Sequence, residues 1–267
     1  MDFRLSSNMA RQQRRMLWGK GGKHDSRTVR ALARRGLCSD KCDLTEKGRI
    51  AALSCVSLRE QCKCLNIPLE EWEVNAPTRP EQKVLRSFRE RGIRAYYSEN
   101  TFGVHVIDFF LFDTLLDFSR NQGKPLYTIG ITYYPEFFHL ANADLPTILQ
   151  SIDEQTCQRN FGLIKRLMSE RDLFYQDMWE LKFYEDVVDS LGVAGLRRLV
   201  EMFFSNPLAY SRGWPDILVT GENEPYFIEV KTTDKLHLSQ LITVPDLMSW
   251  TGILVKCVRL KPVRRIT

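Results

Sequence analysis

The most informative hydrophobic pattern of the chain lies near the C-terminus. It consists of two mostly apolar runs, at residues 217–220 and 226–231. The polar stretch 221–225 separates them, so the pattern predicts a β-hairpin. Because side chains alternate across a strand, Glu229 and Lys231 point to the same face of the second run. A charge on a strand that is otherwise apolar is costly unless something pairs with it.

Most of the remaining chain has helical periodicity. The pattern predicts helices at residues 27–35, 78–92 and 104–118, a mostly helical region at 113–205, and a last strand at 252–260. Residues 1–26 show little periodicity, and the prolines within 66–80 suit a linker. Thr78 and Glu81 have the spacing of a capping box, in which the glutamate bonds the amide of the capping residue.

Composition adds one uneven feature, a basic block at residues 11–35. The chain of 267 residues has a hydrophobic fraction of 43%, enough for one large domain or for a core with a small appendage. Its net charge is +5. Asp25 is the only acidic residue of the block, whose cations are Arg11, Arg14, Arg15, Lys20, Lys23, Arg27, Arg30, Arg34 and Arg35. Such a block favours contact with a phosphate backbone. A solvated basic arm or a targeting segment is the alternative.

Candidate chemistry centres on Asp216, which opens the first hairpin strand, and on Glu229 and Lys231 in the second. Two carboxylates suit a hard cation such as Mg²⁺. A cation held there would activate a water and neutralise a phosphate oxygen, while the lysine ammonium would orient the attacking water. Phosphodiester hydrolysis needs these functions. The alternative is a hairpin with a surface salt bridge between Glu229 and Lys231.

The same residues resemble a known nuclease signature. Pro215-Asp216, twelve intervening residues and then Glu229-Val230-Lys231 resemble the PD-(D/E)XK signature. The Glu-Val-Lys form, followed by the polar stretch 234–240, is similar to the VRR-NUC family of that superfamily. Residues 97–102 and 188–216 are most similar to the nuclease domain of Fanconi-associated nuclease. The resemblance covers about residues 78–260.

This resemblance implies an α/β fold with a restriction-endonuclease-like core, a mixed sheet flanked by helices, and a helical insertion at about residues 119–205. We therefore expect a nuclease domain at 76–267 and a basic N-terminal DNA-binding segment at 1–75. The pattern of residues 27–53 in that segment resembles part of a winged-helix module. Pro245 departs from the family and is expected to kink or shorten the helix that follows Gln240.

For the site, the resemblance implies that Glu99, Asp216 and Glu229 ligate Mg²⁺ or Mn²⁺, with the carbonyl of Val230 as a further ligand. Lys231 would position the water, and Gln240 would orient the site or the phosphate. Glu81, on the first core helix, is a further candidate ligand, with the capping box as its alternative role. The loop around Glu99 has Ser98 and Asn100 where the family has glycines.

The predicted function is metal-dependent hydrolysis of DNA, and the resemblance implies a flapped or branched substrate. A sequence-specific restriction-type endonuclease and a catalytically idle DNA-binding protein are the alternatives. The insertion is expected to favour a monomer over a junction-cutting dimer. Seven cysteines, with no signal peptide and no membrane span expected, suit free thiols in a reducing compartment. We therefore expect an intracellular protein, cytoplasmic in a prokaryote or virus and nuclear in a eukaryote.

Overall fold

A computed structural model describes residues 5–19, 25–39, 41–75, 78–99, 102–121, 144–169, 181–222 and 224–263. Four helices precede the first strand: α1 (Ser7–Leu17), α2 (Ser26–Arg34), α3 (Glu46–Ser54) and α4 (Leu58–Cys64). The middle of the chain holds β1 (Leu69–Val74), α5 (Pro80–Glu90), β2 (Ala95–Tyr97), α6 (Phe102–Phe110), α7 (Phe112–Asn121), α8 (144–151), α9 (Glu154–Ser169) and α10 (Leu181–Ser205). The last part holds α11 (Pro207–Tyr210), β3 (Ile217–Val219), β4 (Tyr226–Lys231), α12 (Leu238–Thr251) and β5 (Leu254–Pro262).

The strands form one five-stranded mixed sheet in the order β1-β5-β4-β3-β2. The predicted hairpin is confirmed, since β3 and β4 pair antiparallel with Ile217 opposite Ile228. Strand β5 runs parallel to β4 on one side and to β1 on the other. The middle of the sheet is therefore parallel, and both of its faces must be covered by helices.

The alternation along β4 divides the core into two layers. Ile228 and Val230 face the layer under α5, where they pack with Val84 and Phe88. Phe227 faces the opposite layer, which α6, α10 and α12 cover. Glu229 and Lys231 share the face of Phe227, so these two charges lie on the side of the sheet covered by α12.

The helical insertion is confirmed for the residues that the structure describes. Every described element from α7 to α10 is helical, as the pattern over residues 113–205 predicts. The predicted helix at 104–118 is two helices, α6 and α7, which meet at Leu111. A buried carboxylate on α10 ties the insertion to the sheet: Asp186 accepts hydrogen bonds from Arg94 at 2.7 Å, Tyr96 at 2.7 Å and Thr220 at 3.1 Å.

Residues 66–80 are not the predicted linker, because they contain the edge strand β1. Leu69 pairs with Cys257, and the register continues to Val74 opposite Pro262. Trp72 and Val74 pack on the layer under α5, whereas the three glutamates of the strand stay exposed. Charged side chains on an edge strand discourage pairing with another chain.

Helix α1 occupies residues in which the sequence shows little periodicity. Its contact face is partly polar, because Gln12 and Gln13 are buried beside the partly buried Met9 and Met16. The Gln13 amide donates to the Gly48 carbonyl at 3.5 Å. Ser6 caps the first turn. A polar contact face lowers the hydrophobic contrast on which periodicity depends, so the pattern does not reveal this helix.

Two further local expectations are wrong. Thr78 does not cap α5, since Arg79 is the capping residue in a left-handed conformation and Pro80 begins the helix. Proline at the first helical position is favoured because its missing N–H would be unpaired there in any case. Pro245 does not shorten α12, which continues to Thr251. Leu241, Val244 and Leu247 are fully buried around it, and this burial offsets the lost backbone hydrogen bond.

Candidate active site

The candidate site lies where the β3–β4 hairpin meets the start of α12. Asp216 precedes β3, and its Oδ2 accepts a hydrogen bond of 2.6 Å from the Val230 amide. Glu229 and Lys231 follow on β4, and their exposed fractions are 1% and 4%, with 5% for Asp216. The Glu229–Lys231 pair is therefore buried, and the alternative of a surface salt bridge is wrong.

Glu229 Oε1 is held by two donors. Lys231 Nζ lies 2.8 Å away, and the Gln240 side-chain amide donates at 2.6 Å. Gln240 in turn accepts a bond of 2.9 Å from the His237 amide, so its position is fixed by the first turn of α12. Gln240 thus orients Glu229, while Lys231 also pairs with Asp234 at 3.4 Å.

The second oxygen of Glu229 has no such partner. Within the described ranges, no donor forms a hydrogen bond with Glu229 Oε2, although this oxygen is buried. An unpaired buried carboxylate oxygen is costly unless an ion or water satisfies it. This oxygen and the neighbouring Asp216 carboxylate are the kind of donors that a hard divalent cation takes.

The pKa shifts of the site residues also favour binding of a cation. Burial and then the Glu229 carboxylate raise the pKa of Asp216, and the Val230 amide only partly opposes them. Burial also raises the pKa of Glu229, despite Lys231 and Gln240. For Lys231, burial favours the neutral form, but the Glu229 carboxylate outweighs burial and the pKa is raised. Two buried carboxylates share one ammonium, so a further positive charge would stabilise the site.

The backbone of Val230 faces the same space. In an extended strand, the amide and carbonyl of one residue point to the same edge. The Val230 amide points to Asp216, and β3 pairs with β4 only as far as Ile228. The Val230 carbonyl therefore lies on the open side of β4 next to Asp216, where the predicted carbonyl ligand would have to be.

Glu99 reaches this site from the end of β2. Its charge acts on both Asp216 and Glu229, and in each case it raises the pKa of the carboxyl. The Tyr97 hydroxyl donates a hydrogen bond to Glu99 Oε2. The structure thus places Glu99 within electrostatic reach of Asp216 and Glu229, with one oxygen bonded to a tyrosine that the sequence pattern did not indicate.

Ser98 fixes the loop that carries Glu99. Its hydroxyl donates to the Pro215 carbonyl at 2.7 Å, and its amide donates to the Asp216 carbonyl at 2.6 Å. Ser98 is fully buried. The Ser98 side chain and amide therefore join the two chain segments that carry Glu99 and Asp216.

The segment before Asp216 is fixed by close packing. Gly213 has a φ of +84°, and a Cβ atom there would lie 2.5 Å from the Ser239 carbonyl group. Only glycine fits both restrictions. Trp214 is buried, donates to the Tyr210 carbonyl at 2.7 Å and packs against Phe102 at 5.5 Å between ring centroids. This packing sets the distance between Asp216 and the first turn of α12.

Glu81 is half-buried in the first turn of α5. Its charge, with those of Glu99 and Asp216, raises the pKa of the Tyr97 hydroxyl beyond the effect of burial and of the Glu99 hydrogen bond. Since Thr78 does not cap the helix, the alternative role of Glu81 in a capping box is removed. Glu81 stays a candidate ligand.

The carboxylates do not form a finished metal centre in this conformation. Within the described residues, no three His, Cys, Asp or Glu side chains are grouped closely enough to hold a metal ion. One oxygen of Glu99 and one of Asp216 are bonded to protein donors. The residues fit a divalent cation in their chemistry, but a bound ion would have to compete with the Tyr97 hydroxyl and the Val230 amide.

The basic block lies on the N-terminal helices. All its described members are exposed, and they stand on α1 and along α2 to its C-terminal end: Arg11, Arg14, Arg15, Arg27, Arg30, Arg34 and Arg35. Lys20 and Lys23 lie outside the described residues. All seven cysteines are free thiols, and no described helix is long and apolar enough to cross a membrane.

The mixed sheet flanked by helices is the α/β architecture that the sequence predicts, and it places two buried carboxylates and a lysine at a hairpin. Solved structures add a more specific likeness. Structures of paFAN1 bound to DNA with a gap and a 5′ flap of one or two nucleotides match with TM-scores of 0.61 and 0.56, each at 16% identity. They cover 98% and 90% of this chain, which spans about half of the matched chains (51% and 49%). The resemblance to Fanconi-associated nuclease is thereby confirmed at the level of the fold.

Sequence comparisons add little to this result. No family model matches the chain. It is 30% identical over 91 residues to D-alanine–D-alanine ligase of Mycobacterium tuberculosis and 29% identical to that of Mycobacterium bovis. These matches cover 34% of this chain, which spans about a quarter (24%) of the ligases. The match is local, whereas the fold likeness extends over nearly the whole chain.

Proposed function

We propose that this protein is a metal-dependent DNA nuclease that hydrolyses phosphodiester bonds in flapped or branched DNA. The observation that carries the proposal is the buried Asp216–Glu229–Lys231 constellation, in which Glu229 Oε2 has no hydrogen-bond partner within the described residues. The fold likeness to paFAN1 bound to 5′ flap DNA supports DNA as the substrate.

Asp216, Glu229 and Glu99 would hold Mg²⁺ or Mn²⁺, with the Val230 carbonyl and Glu81 as further ligands. When bound, such a cation neutralises charge on the phosphate and lowers the pKa of a water. Lys231 lies 2.8 Å from Glu229 and is charged, so it can orient the attacking water and stabilise the negative charge that develops on the phosphate. Gln240 holds Glu229 in position for this task.

Within this proposal the protein acts as a monomer. Helices α7 to α10 separate Glu99 from Asp216 along the chain, and an insertion there disfavours a junction-cutting dimer. We place it inside the cell, since its substrate is DNA and its seven cysteines are free thiols. The basic block on α1 and α2 supplies phosphate contacts outside the site.

A cleavage panel tests the proposal. Flapped, splayed, nicked, junction and linear duplex DNA of one sequence are incubated with Mg²⁺, with Mn²⁺ and with EDTA. We expect cleavage of flapped or branched DNA only in the presence of a divalent cation. Cutting of linear duplex at one defined sequence would instead indicate a restriction-type enzyme. Tight binding of every DNA without cleavage in either metal would indicate an idle DNA-binding protein.

A further inference from the structure

Two neighbouring cavities on the protein surface share Arg14. The first is about 500 Å³ in volume. It is lined by Arg11, Arg14 and Arg15 of α1 and by Trp18, which follows this helix. The second, about 740 Å³, lies between Arg14 and residues 233–238 and also contacts Arg259 on β5. Because Arg14 lines both, the two cavities adjoin at its side chain, and we call them together the α1 groove. It ends at Asp234, the residue that pairs with Lys231 of the site at 3.4 Å.

The charge of the α1 groove is strongly positive. Its cations come from the basic block and also from two residues outside that block, Lys235 and Arg259. The two carboxylates that line the groove already have partners. Glu60 accepts from the Ser57 amide at 2.9 Å, and Asp234 pairs with Lys231. The positive charges therefore dominate the field along the groove.

Backbone carbonyls hold these cations in place. Arg14 donates to the Cys55 carbonyl, Lys235 donates to the Ser54 carbonyl at 2.7 Å, and Arg259 donates to the Thr232 carbonyl at 3.2 Å. A guanidinium has five N–H donors in a planar fork, so one such bond leaves donors for a phosphate. The cations are thus pre-positioned and remain able to bind an anion.

We propose that the α1 groove binds the backbone of an unpaired DNA strand and leads it to the site around Lys231; this inference rests on the proposed function. Cavities of this size hold a few nucleotides, whereas a duplex would lie across them. A basic groove with an aromatic ring in its wall is typical of single-strand binding, and Trp18 provides that ring. The groove thereby assigns DNA contact to Lys235 and Arg259.

Fluorescence anisotropy in EDTA, where no metal-dependent cleavage occurs, tests the groove. The two DNAs are a duplex with a single-stranded 5′ flap of several nucleotides and the same nicked duplex without the flap. For Arg11→Gln combined with Arg259→Gln we expect several-fold weaker binding of flapped DNA. The slope of log K against log salt should fall by roughly 0.7 for each lost single-strand contact. Binding of the nicked duplex should stay unchanged.

Matched variants separate charge from structure. Arg259→Lys keeps the charge and should bind flapped DNA nearly as tightly as the unmodified protein. Arg198→Gln removes an exposed cation on α10, outside the groove, and should change nothing. Thermal melting checks that each variant folds.

Equal losses on both DNAs would overturn the assignment to an unpaired strand, and no loss on either would show that the groove is merely solvated. Failure of the proposed function is a different result: the unmodified protein would then cleave no DNA in Mg²⁺ or Mn²⁺, whatever its binding shows.

Discussion

The Ser98 hydroxyl donates a hydrogen bond of 2.7 Å to the Pro215 carbonyl and so joins the loop of Glu99 to the segment of Asp216. Glu99 follows β2 and Asp216 precedes β3, so these two proposed metal ligands lie in different chain segments. The buried bond sets the spacing of those segments. A serine beside a proposed ligand thereby acts on the geometry of the site although it has no acid or base chemistry of its own.

Ser98→Ala should therefore lower the cleavage rate and raise the Mg²⁺ concentration required for half-maximal activity. Loss of the hydroxyl leaves the buried Pro215 carbonyl without this donor, so we expect a stability loss of about 1–2 kcal/mol. Metal titrations of activity and urea denaturation provide the two measurements. Ser151→Ala removes a hydroxyl that bonds the Ile148 carbonyl on its own helix, and serves as the control. An unchanged metal requirement in Ser98→Ala would show that the bond does not position Glu99.

Asp216→Asn should abolish cleavage and leave DNA binding nearly intact. The asparagine keeps an oxygen for the Val230 amide but loses the charge that a cation requires. Because Asp216 is buried beside a second carboxylate, its replacement by a neutral group of the same shape should not destabilise the protein without metal. Cleavage assays, anisotropy and thermal melting in EDTA measure the three quantities. Turnover in Mg²⁺ near that of the unmodified protein would exclude Asp216 from the site.

Glu99→Gln should reduce the rate more than Glu81→Gln does. The Glu99 charge acts directly on Asp216 and Glu229, whereas that of Glu81 acts on the Tyr97 hydroxyl. We expect a large loss of rate and a higher metal requirement for Glu99→Gln, with little change in melting temperature. Both variants are compared in Mg²⁺ and Mn²⁺ titrations. If Glu81→Gln is inactive and Glu99→Gln cleaves normally, the order of the two ligands is the reverse of our proposal.

Asp186→Asn should destabilise the protein by about 2 kcal/mol at neutral pH. Burial favours the neutral acid, but the hydroxyl and ammonium donors led by Tyr96 and Lys182 outweigh burial and hold the pKa of Asp186 below its usual value. A carboxyl with a lowered pKa stabilises the folded protein at pH values above its pKa in the unfolded chain, about 3.9. This stabilisation is lost as the pH falls through its pKa in the folded protein. The difference in the free energy of unfolding between the unmodified protein and the variant should therefore become smaller below about pH 4. We call this difference the stability gap.

Urea denaturation between pH 7 and pH 3.5 measures that gap. Asp189→Asn, an exposed carboxylate on the same helix α10, is the matched control and should show almost no difference at any pH. A gap for Asp186→Asn that stays constant as the pH falls would contradict the assigned role of its charge.

The sequence predicts the central part of the site because strong local rules coincide there. Period-two alternation places Glu229 and Lys231 on one face of a strand, and the polar turn fixes the hairpin that brings Asp216 close to them. These relationships depend on residues near one another in the chain. Gln240 is also local, since it begins the helix that follows the hairpin.

Other parts depend on distant contacts that local patterns do not contain. The Ser98–Pro215 bond spans 117 positions, and the end of β2 is held against β3 by the pairing of Tyr97 with Ile217. One error was avoidable: Pro80 disfavours helical backbone at Arg79, so Thr78 could not begin the helix.

Strand β5 lies between β1 and β4 in the sheet, although it follows both of them in the chain. A ribosome therefore makes this inner strand after both of its neighbours. Until residues 254–262 emerge, β1 and one edge of β4 have no partner to pair with, and unpaired edges are prone to aggregation. Assembly of the buried Glu229 and Lys231 must wait for the same event, so a nascent chain that stalls before β5 would carry every proposed metal ligand and still be unable to build the site.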